Sequence, residues 1–146
     1  MFCVLRQATD IDRRFAEHVR EQCYRDVVIR QFGAWNPEVQ KRFFEEKWRP
    51  EHYSIIMFEN EPIGVVAIYE KHDHLWLSEI QILPSHQGRG IGSAILADLI
   101  ARARAQTLPL RLQVLRCSRA QGLYQRFGFI CYGRTESHLL FEKSCG

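Results

Sequence analysis

No stretch of this chain is apolar for long enough to span a bilayer. Its first residues, Met1-Phe2-Cys3-Val4-Leu5-Arg6, carry neither the apolar core nor the cleavage site of a secretion signal. Cysteine is sparse and unpatterned: Cys3, Cys23, Cys117, Cys131 and Cys145 are odd in number and form no Cys-x-x-Cys pair. That argues against a disulfide framework and for reduced thiols in a cytoplasmic protein. An excess of one charge sign is also missing. A net charge of +3 requires no nucleic-acid partner. Arg102, Arg104, Arg111, Arg116 and Arg119 are spread over different predicted elements without an aromatic stacking motif. No repeat, low-complexity tract or Pro/Gly/Ser-rich linker divides the sequence. What remains is 146 residues, 46% apolar and 25% charged, enough for a single domain (residues 1–146) with a proper core and no membrane partner.

The patterning predicts a mixed α/β order. Phe2 to Gln7 reads as a short strand. Thr9-Asp10-Ile11-Asp12 then offers capping oxygens to a helix on Phe15, Val19 and Cys23. The stretch from Arg30 to Trp35 breaks that helix, and Asn36-Pro37 starts another that carries Val39, Phe43, Phe44 and Trp48 and ends near Arg49-Pro50. Three strands follow, over 53–58, 63–69 and 74–83, then a periodic helix over 91–105 and a strand over 110–115. A short helix from Ser118 to Phe127 closes at Gly128, and strands over 129–134 and 138–142 finish the chain. Strands and helices in this order predict one sheet with helices packed against it.

The most informative segment is Ile80-Gln81-Ile82-Leu83-Pro84-Ser85-His86-Gln87-Gly88-Arg89-Gly90-Ile91-Gly92-Ser93. A strand feeding a glycine-rich turn that opens a helix is an anion cradle. First-turn N–H groups have no intrahelical acceptor, and the positive end of the helix dipole adds to their pull on a phosphate. Glycines let the backbone approach without Cβ obstruction.

Two segments together resemble the GNAT superfamily of N-acetyltransferases. One is Gln87-x-x-Gly90-x-Gly92 after Ile82-x-Pro84; the other is Ala120-x-x-Leu123-Tyr124-Gln125-Arg126-Phe127-Gly128-Phe129. Leu5-Arg6-Gln7-Ala8-Thr9-x-x-Asp12 is similar to the family's opening, and the element order is the family's over the whole chain. The resemblance implies a mixed, mostly antiparallel central sheet of about seven strands with helices on both faces. It implies acetyl-CoA as co-substrate, and a primary amine of a small molecule or protein as acceptor, attacking directly in a ternary complex. The strand carrying Ile80, Gln81 and Ile82 would splay from the next and pair with the pantetheine arm. Gln87, Gly88, Arg89, Gly90, Ile91, Gly92 and Ser93 would hold the pyrophosphate. Tyr124 would protonate the leaving thiolate, and Glu79 would accept the amine proton, directly or through water.

Each role has a plainer alternative: a core tyrosine for Tyr124, an ion-paired strand glutamate for Glu79, an exposed loop cation for Arg89. Gln113 stands where some relatives carry glutamate, and an amide is no base. Many relatives carry asparagine before the Ala-x-x-Leu-Tyr helix; here Arg116-Cys117-Ser118-Arg119 leaves Ser118 to cap the helix and contact the cofactor. Tyr24, Phe32 and Trp35 offer aromatic surface for the acceptor, and Glu45, Glu46 and Glu51 could attract its charge; core packing and a solvated face are the alternatives. His72-x-His74 lacks a third ligand at useful spacing, so no metal is expected. The oligomeric state is open, a homodimer being allowed. The competing function is a catalytically weak CoA-binding regulatory or interaction module.

Overall fold

The computed structural model describes residues 3–145. Phe2, expected to open the first strand, lies outside the described residues. The elements are β1 (Cys3–Gln7), α1 (Arg13–Phe32), α2 (Pro37–Lys47), β2 (Tyr53–Phe58), β3 (Glu61–Glu70), β4 (Leu75–Ile82), α3 (Ile91–Ala105), β5 (Leu110–Leu115), α4 (Gln121–Arg126), β6 (Ile130–Arg134) and β7 (His138–Lys143). The strands form one seven-stranded sheet in the order β1-β2-β3-β4-β5-β7-β6. The pairs β1/β2, β2/β3, β5/β7 and β6/β7 are antiparallel, whereas β4/β5 is parallel. The mixed, mostly antiparallel sheet agrees with the expected fold class.

Local chemistry explains the boundaries. Asn36 caps α2 by accepting from the Glu38 and Val39 amides at 3.1 Å each, with Pro37 at the first helical position. α1 starts later than its capping residues suggest, because Asp10–Asp12 first form a 3-10 turn. Asp12 reaches back to the Thr9 amide at 2.9 Å and is held by the two terminal guanidinium nitrogens of Arg6, at 2.9 and 3.0 Å. α1 runs to Phe32 and stops at Gly33, inside the Arg30–Trp35 stretch expected to break it. Glu59 and Asn60, both at positive φ, make the two-residue hairpin between β2 and β3. The last helix is shorter than Ser118–Phe127, beginning only at Gln121.

By contacts the chain falls into two compact units. One runs to Ala67 and includes Glu79–Ile91; the other comprises Ile68–Ser78 and the chain from Gly92 onward. The first has a core of Ala16, Val19, Phe44, Trp48, Tyr53, Ile55 and Val65, in which the Trp48 ring meets Phe44 at 5.7 Å and Tyr53 at 4.8 Å. In the second, Leu75, Leu96, Leu110, Leu112 and Phe141 are fully buried. Each such side chain stabilises the fold by roughly 1.5–3 kcal/mol.

Candidate active site

β4 changes character along its length. Its buried face reads Leu75, Leu77, Glu79, Gln81, apolar in the second unit and polar in the first. Its parallel register with β5 comprises Leu75↔Leu110, Trp76↔Arg111 and Leu77↔Leu112; both strands continue beyond, to Ile82 and Leu115. A polar pair on a buried face is costly unless every donor and acceptor is matched.

Glu79 meets that demand. It is 4% exposed. Its Oε2 accepts from the Tyr24 hydroxyl at 3.1 Å and the Gln81 amide at 3.0 Å. Its Oε1 accepts from Lys47 Nζ at 3.1 Å, with Arg20 Nη1 at 3.9 Å. These donors come from α1, α2 and β4, so the carboxylate ties three elements of the first unit together. Arg20 is itself buried, donates to Gln40 Oε1 at 3.1 Å and lies over the Tyr24 ring at 5.0 Å; its Nε has no partner among the described residues. Cys23, one residue before Tyr24, donates its thiol to the Ile82 carbonyl at 3.2 Å, and burial pushes that thiol up to about 11.

Glu79, Gln81 and Tyr24, assigned separately from sequence, thus meet in one hydrogen-bonded cluster. Arg20 and Lys47 were missed. The signal for Arg20 was present: it sits on the buried stripe of α1 with Ala16, Val19 and Val27, where a cation needs a buried partner. Lys47 left no such trace, since the last turn of an exposed helix favours lysine anyway.

At the end of β4, Pro84–His86 form a 3-10 turn and the glycine segment follows. Gly88 and Gly90 have φ of +74° and +80°, values that L side chains rarely adopt. A Cβ on Gly88 would meet open space, so backbone conformation and not crowding requires glycine there. Gln87 through Gly90 are exposed, directly before the fifteen-residue α3, whose first-turn amides lack intrahelical acceptors. Gln87 donates to the Ile82 carbonyl at 2.8 Å and thereby anchors the loop to the strand end; Arg89 reaches the Ser85 carbonyl at 3.4 Å. Ile82 therefore has its carbonyl engaged by Cys23 and Gln87, while Ile80 is half-buried. The residues present suit a phosphate: backbone donors, a helix N-terminus and an exposed guanidinium.

The second unit explains its motif by helix termination. The Phe129 amide donates to the Tyr124 carbonyl and the Gly128 amide to the Gln125 carbonyl, both at 3.0 Å, with Gly128 at φ +90°. This pairing is a Schellman motif, and the Leu-Tyr…Gly-Phe spacing is its sequence. It brings the Phe129 ring edge-on to Tyr124 at 5.6 Å, with Phe141 at 6.3 Å. Tyr124 is 6% exposed and fixed by that packing. Ser118 caps a turn and not the helix: its Oγ accepts from the Ala120 amide at 3.1 Å, and Ala120 holds the N-cap position.

The expected acceptor aromatics separate. Tyr24 belongs to the Glu79 cluster. Trp35 lines a cleft of about 220 Å³ with Glu17, Arg20, Gln40 and Phe44. Phe32 is 59% exposed at the end of α1. Among the described residues no three His, Cys, Asp or Glu side chains are grouped to hold a metal, and no helix is long and apolar enough to cross a membrane.

This sheet order and the glycine turn opening a helix define the class of fold, a mixed α/β sheet with a candidate anion cradle at the end of β4. Residues 15–129 match the acetyltransferase (GNAT) family, and the chain belongs to that family. Solved structures share the fold throughout. The PaiA N-acetyltransferase of Thermoplasma acidophilum, in complex with coenzyme A, is 17% identical with 99% of each chain covered and a TM-score of 0.80. An acetyltransferase from Thermus thermophilus is 18% identical, covering 99% of this chain and 97% of that one, with a TM-score of 0.76. The ribosomal-protein-S18-alanine N-acetyltransferase of Escherichia coli is 18% identical over 99% of this chain and 95% of that one, with a TM-score of 0.70. At these identities the likeness is one of fold. No curated protein sequence matches the chain.

Proposed function

We propose that this chain transfers an acetyl group from acetyl-CoA to a primary amine of a small molecule or protein, by direct attack in a ternary complex. The observation that carries the reading is the exposed turn with Gly88 and Gly90 at positive φ before α3, in a chain of the GNAT family. Amides from Gly88 to Ser93 would hold the pyrophosphate, with Arg89 adding a charge-assisted contact. Backbone groups of Ile80 and Ile82 would pair with the pantetheine arm. The bound co-substrate supplies the activated acetyl thioester.

The protein's own part is to position the amine and move protons. Glu79 is the proposed proton acceptor. Its oxygens are already occupied, so an external amine would reach Oε2 through Tyr24, whose hydroxyl passes its proton to Glu79 as it takes one. Tyr124 is the proposed donor to the thiolate, held in place by the Schellman turn and its aromatic neighbours. Cysteines without disulfides suit a reducing compartment such as the cytoplasm.

Thermal unfolding with acetyl-CoA tests the reading. At a hundredfold excess over Kd the ligand should stabilise the fold by roughly 2.7 kcal/mol, a rise of about 5–10 °C in Tm for a domain of this size. No shift at millimolar acetyl-CoA would overturn it. A shift without thiol release on any amine would favour a CoA-binding module, the reading that the Ser118 segment and the occupied Glu79 oxygens support.

A further inference from the structure

We propose that Lys47 is itself an acetyl acceptor, its ε-amine being acetylated within its own chain with Glu79 as proton acceptor. The inference rests on the acetyl-CoA reading above and goes beyond it by naming an amine that the chain carries.

Lys47 is a primary amine already in place. Its Nζ lies 3.1 Å from Glu79 Oε1, whose side chain is 3% exposed, while the lysine side chain is 42% exposed. One end of the pair is therefore buried and the other open. α2 stops at Lys47, and Trp48, buried and stacked on Phe44, turns into extended backbone, so the base of the lysine is held by the core. Lys47 and Glu79 line the same small pocket with Tyr53 and Gln81. Among the described residues, Lys41, Lys71 and Lys143 make no carboxylate contact within ion-pair distance, and Lys71 lies over the Tyr69 ring. Among the described lysines only Lys47 combines an amine with a proton acceptor already in hydrogen-bond contact.

The step balances. Glu79 Oε1 takes one proton from the Lys47 ammonium, and the free amine attacks the thioester carbonyl carbon. The C–N bond forms and the C–S bond breaks. The nitrogen loses its second proton, one proton goes to the thiolate to give the thiol of CoA, and Glu79 returns its own to solvent. The product amide is neutral, so the reaction runs once per chain and removes one of the two cations facing Glu79.

Peptide mass spectrometry of the full chain incubated with acetyl-CoA, without added amine, tests this. Lys47 should gain one acetyl group on the order of 10²-fold faster than Lys41, Lys71 and Lys143, at a rate independent of protein concentration. Thiol release should stop at one equivalent per chain. Glu79→Gln should slow the Lys47 reaction about 10²-fold and leave the other lysines at their slow rate; Lys47→Arg should abolish the single-equivalent release. Equal acetylation of all lysines, or a rate that rises with chain concentration, would overturn the proposal. If acetyl-CoA raises Tm yet Lys47 stays unmodified, this inference fails and the acetyl-CoA reading stands. If there is no Tm shift, both fail.

Discussion

The glycine turn and the Glu79 cluster both depend on β4, and they are built in opposite ways. The turn is exposed and made of backbone: its chemistry lies in N–H groups and in positive φ at Gly88 and Gly90. The cluster is buried and made of side chains collected from α1, α2 and β4. A backbone device can be altered with little cost to the fold, whereas a buried charge whose partners hold three elements together cannot. The turn should therefore govern ligand binding, and the cluster should govern stability as well as chemistry.

The largest effect that would break this contrast is at Glu79. Glu79→Ala leaves Arg20 with its buried charge uncompensated and should cost about 3–5 kcal/mol in urea unfolding; a loss below about 1 kcal/mol would mean the cluster is not a structural hub. Gly90→Glu places a side chain and a negative charge in the turn. It should abolish the roughly 2.7 kcal/mol stabilisation by acetyl-CoA at hundredfold excess, while the free protein loses only about 1 kcal/mol from the left-handed backbone. Retained stabilisation would reduce the turn to a connector. Tyr124→Phe keeps the ring packing and should lower kcat about a hundredfold with acetyl-CoA affinity unchanged; equal turnover would assign thiolate protonation to another group or to water.

A smaller effect extends the contrast to the start of α1. The Arg6 guanidinium holds the Asp12 carboxyl below the usual carboxylate range, helped by the Thr9 amide and opposed by burial. Because folding lowers this pKa, the contribution is present above the unfolded value of about 3.9 and is lost as pH falls through the folded value. Arg6 is 45% exposed, so solvent screening limits the gain. Asp12→Asn should cost about 1 kcal/mol at neutral pH, and the gap from the wild type should close in acid unfolding below about pH 4. The smallest effect concerns thiols. Cys23, raised to about 11 by burial and then by Glu79, should be alkylated at neutral pH after the exposed Cys117 and Cys131. Equal labelling would show that α1 opens around the cluster.

The same contrast explains what the sequence disclosed. A backbone device is written in consecutive residues, so the Gln-x-x-Gly-x-Gly turn and the Schellman spacing of Tyr124 to Phe129 could be read directly. Element order followed from short apolar runs; boundaries moved by one or two residues at β3, β4, β6 and β7, and further where a 3-10 turn intervened at Asp10–Asp12 or where the helix after Ser118 started late. The Glu79 cluster was half legible. Glu79 and Gln81 stand out on a buried strand face, but Arg20 and Lys47 lie 59 and 32 positions away, and nothing local to either names the partner. Tyr24 was assigned to the acceptor on aromatic character alone, and the structure adds its hydrogen bond to Glu79.

Thiol release from acetyl-CoA with a panel of primary amines tests the central claim most directly. The account predicts at least one amine whose presence sustains many turnovers of release, with release about a hundredfold slower in Tyr124→Phe. Binding of acetyl-CoA with no amine-dependent release for any member of the panel would contradict it.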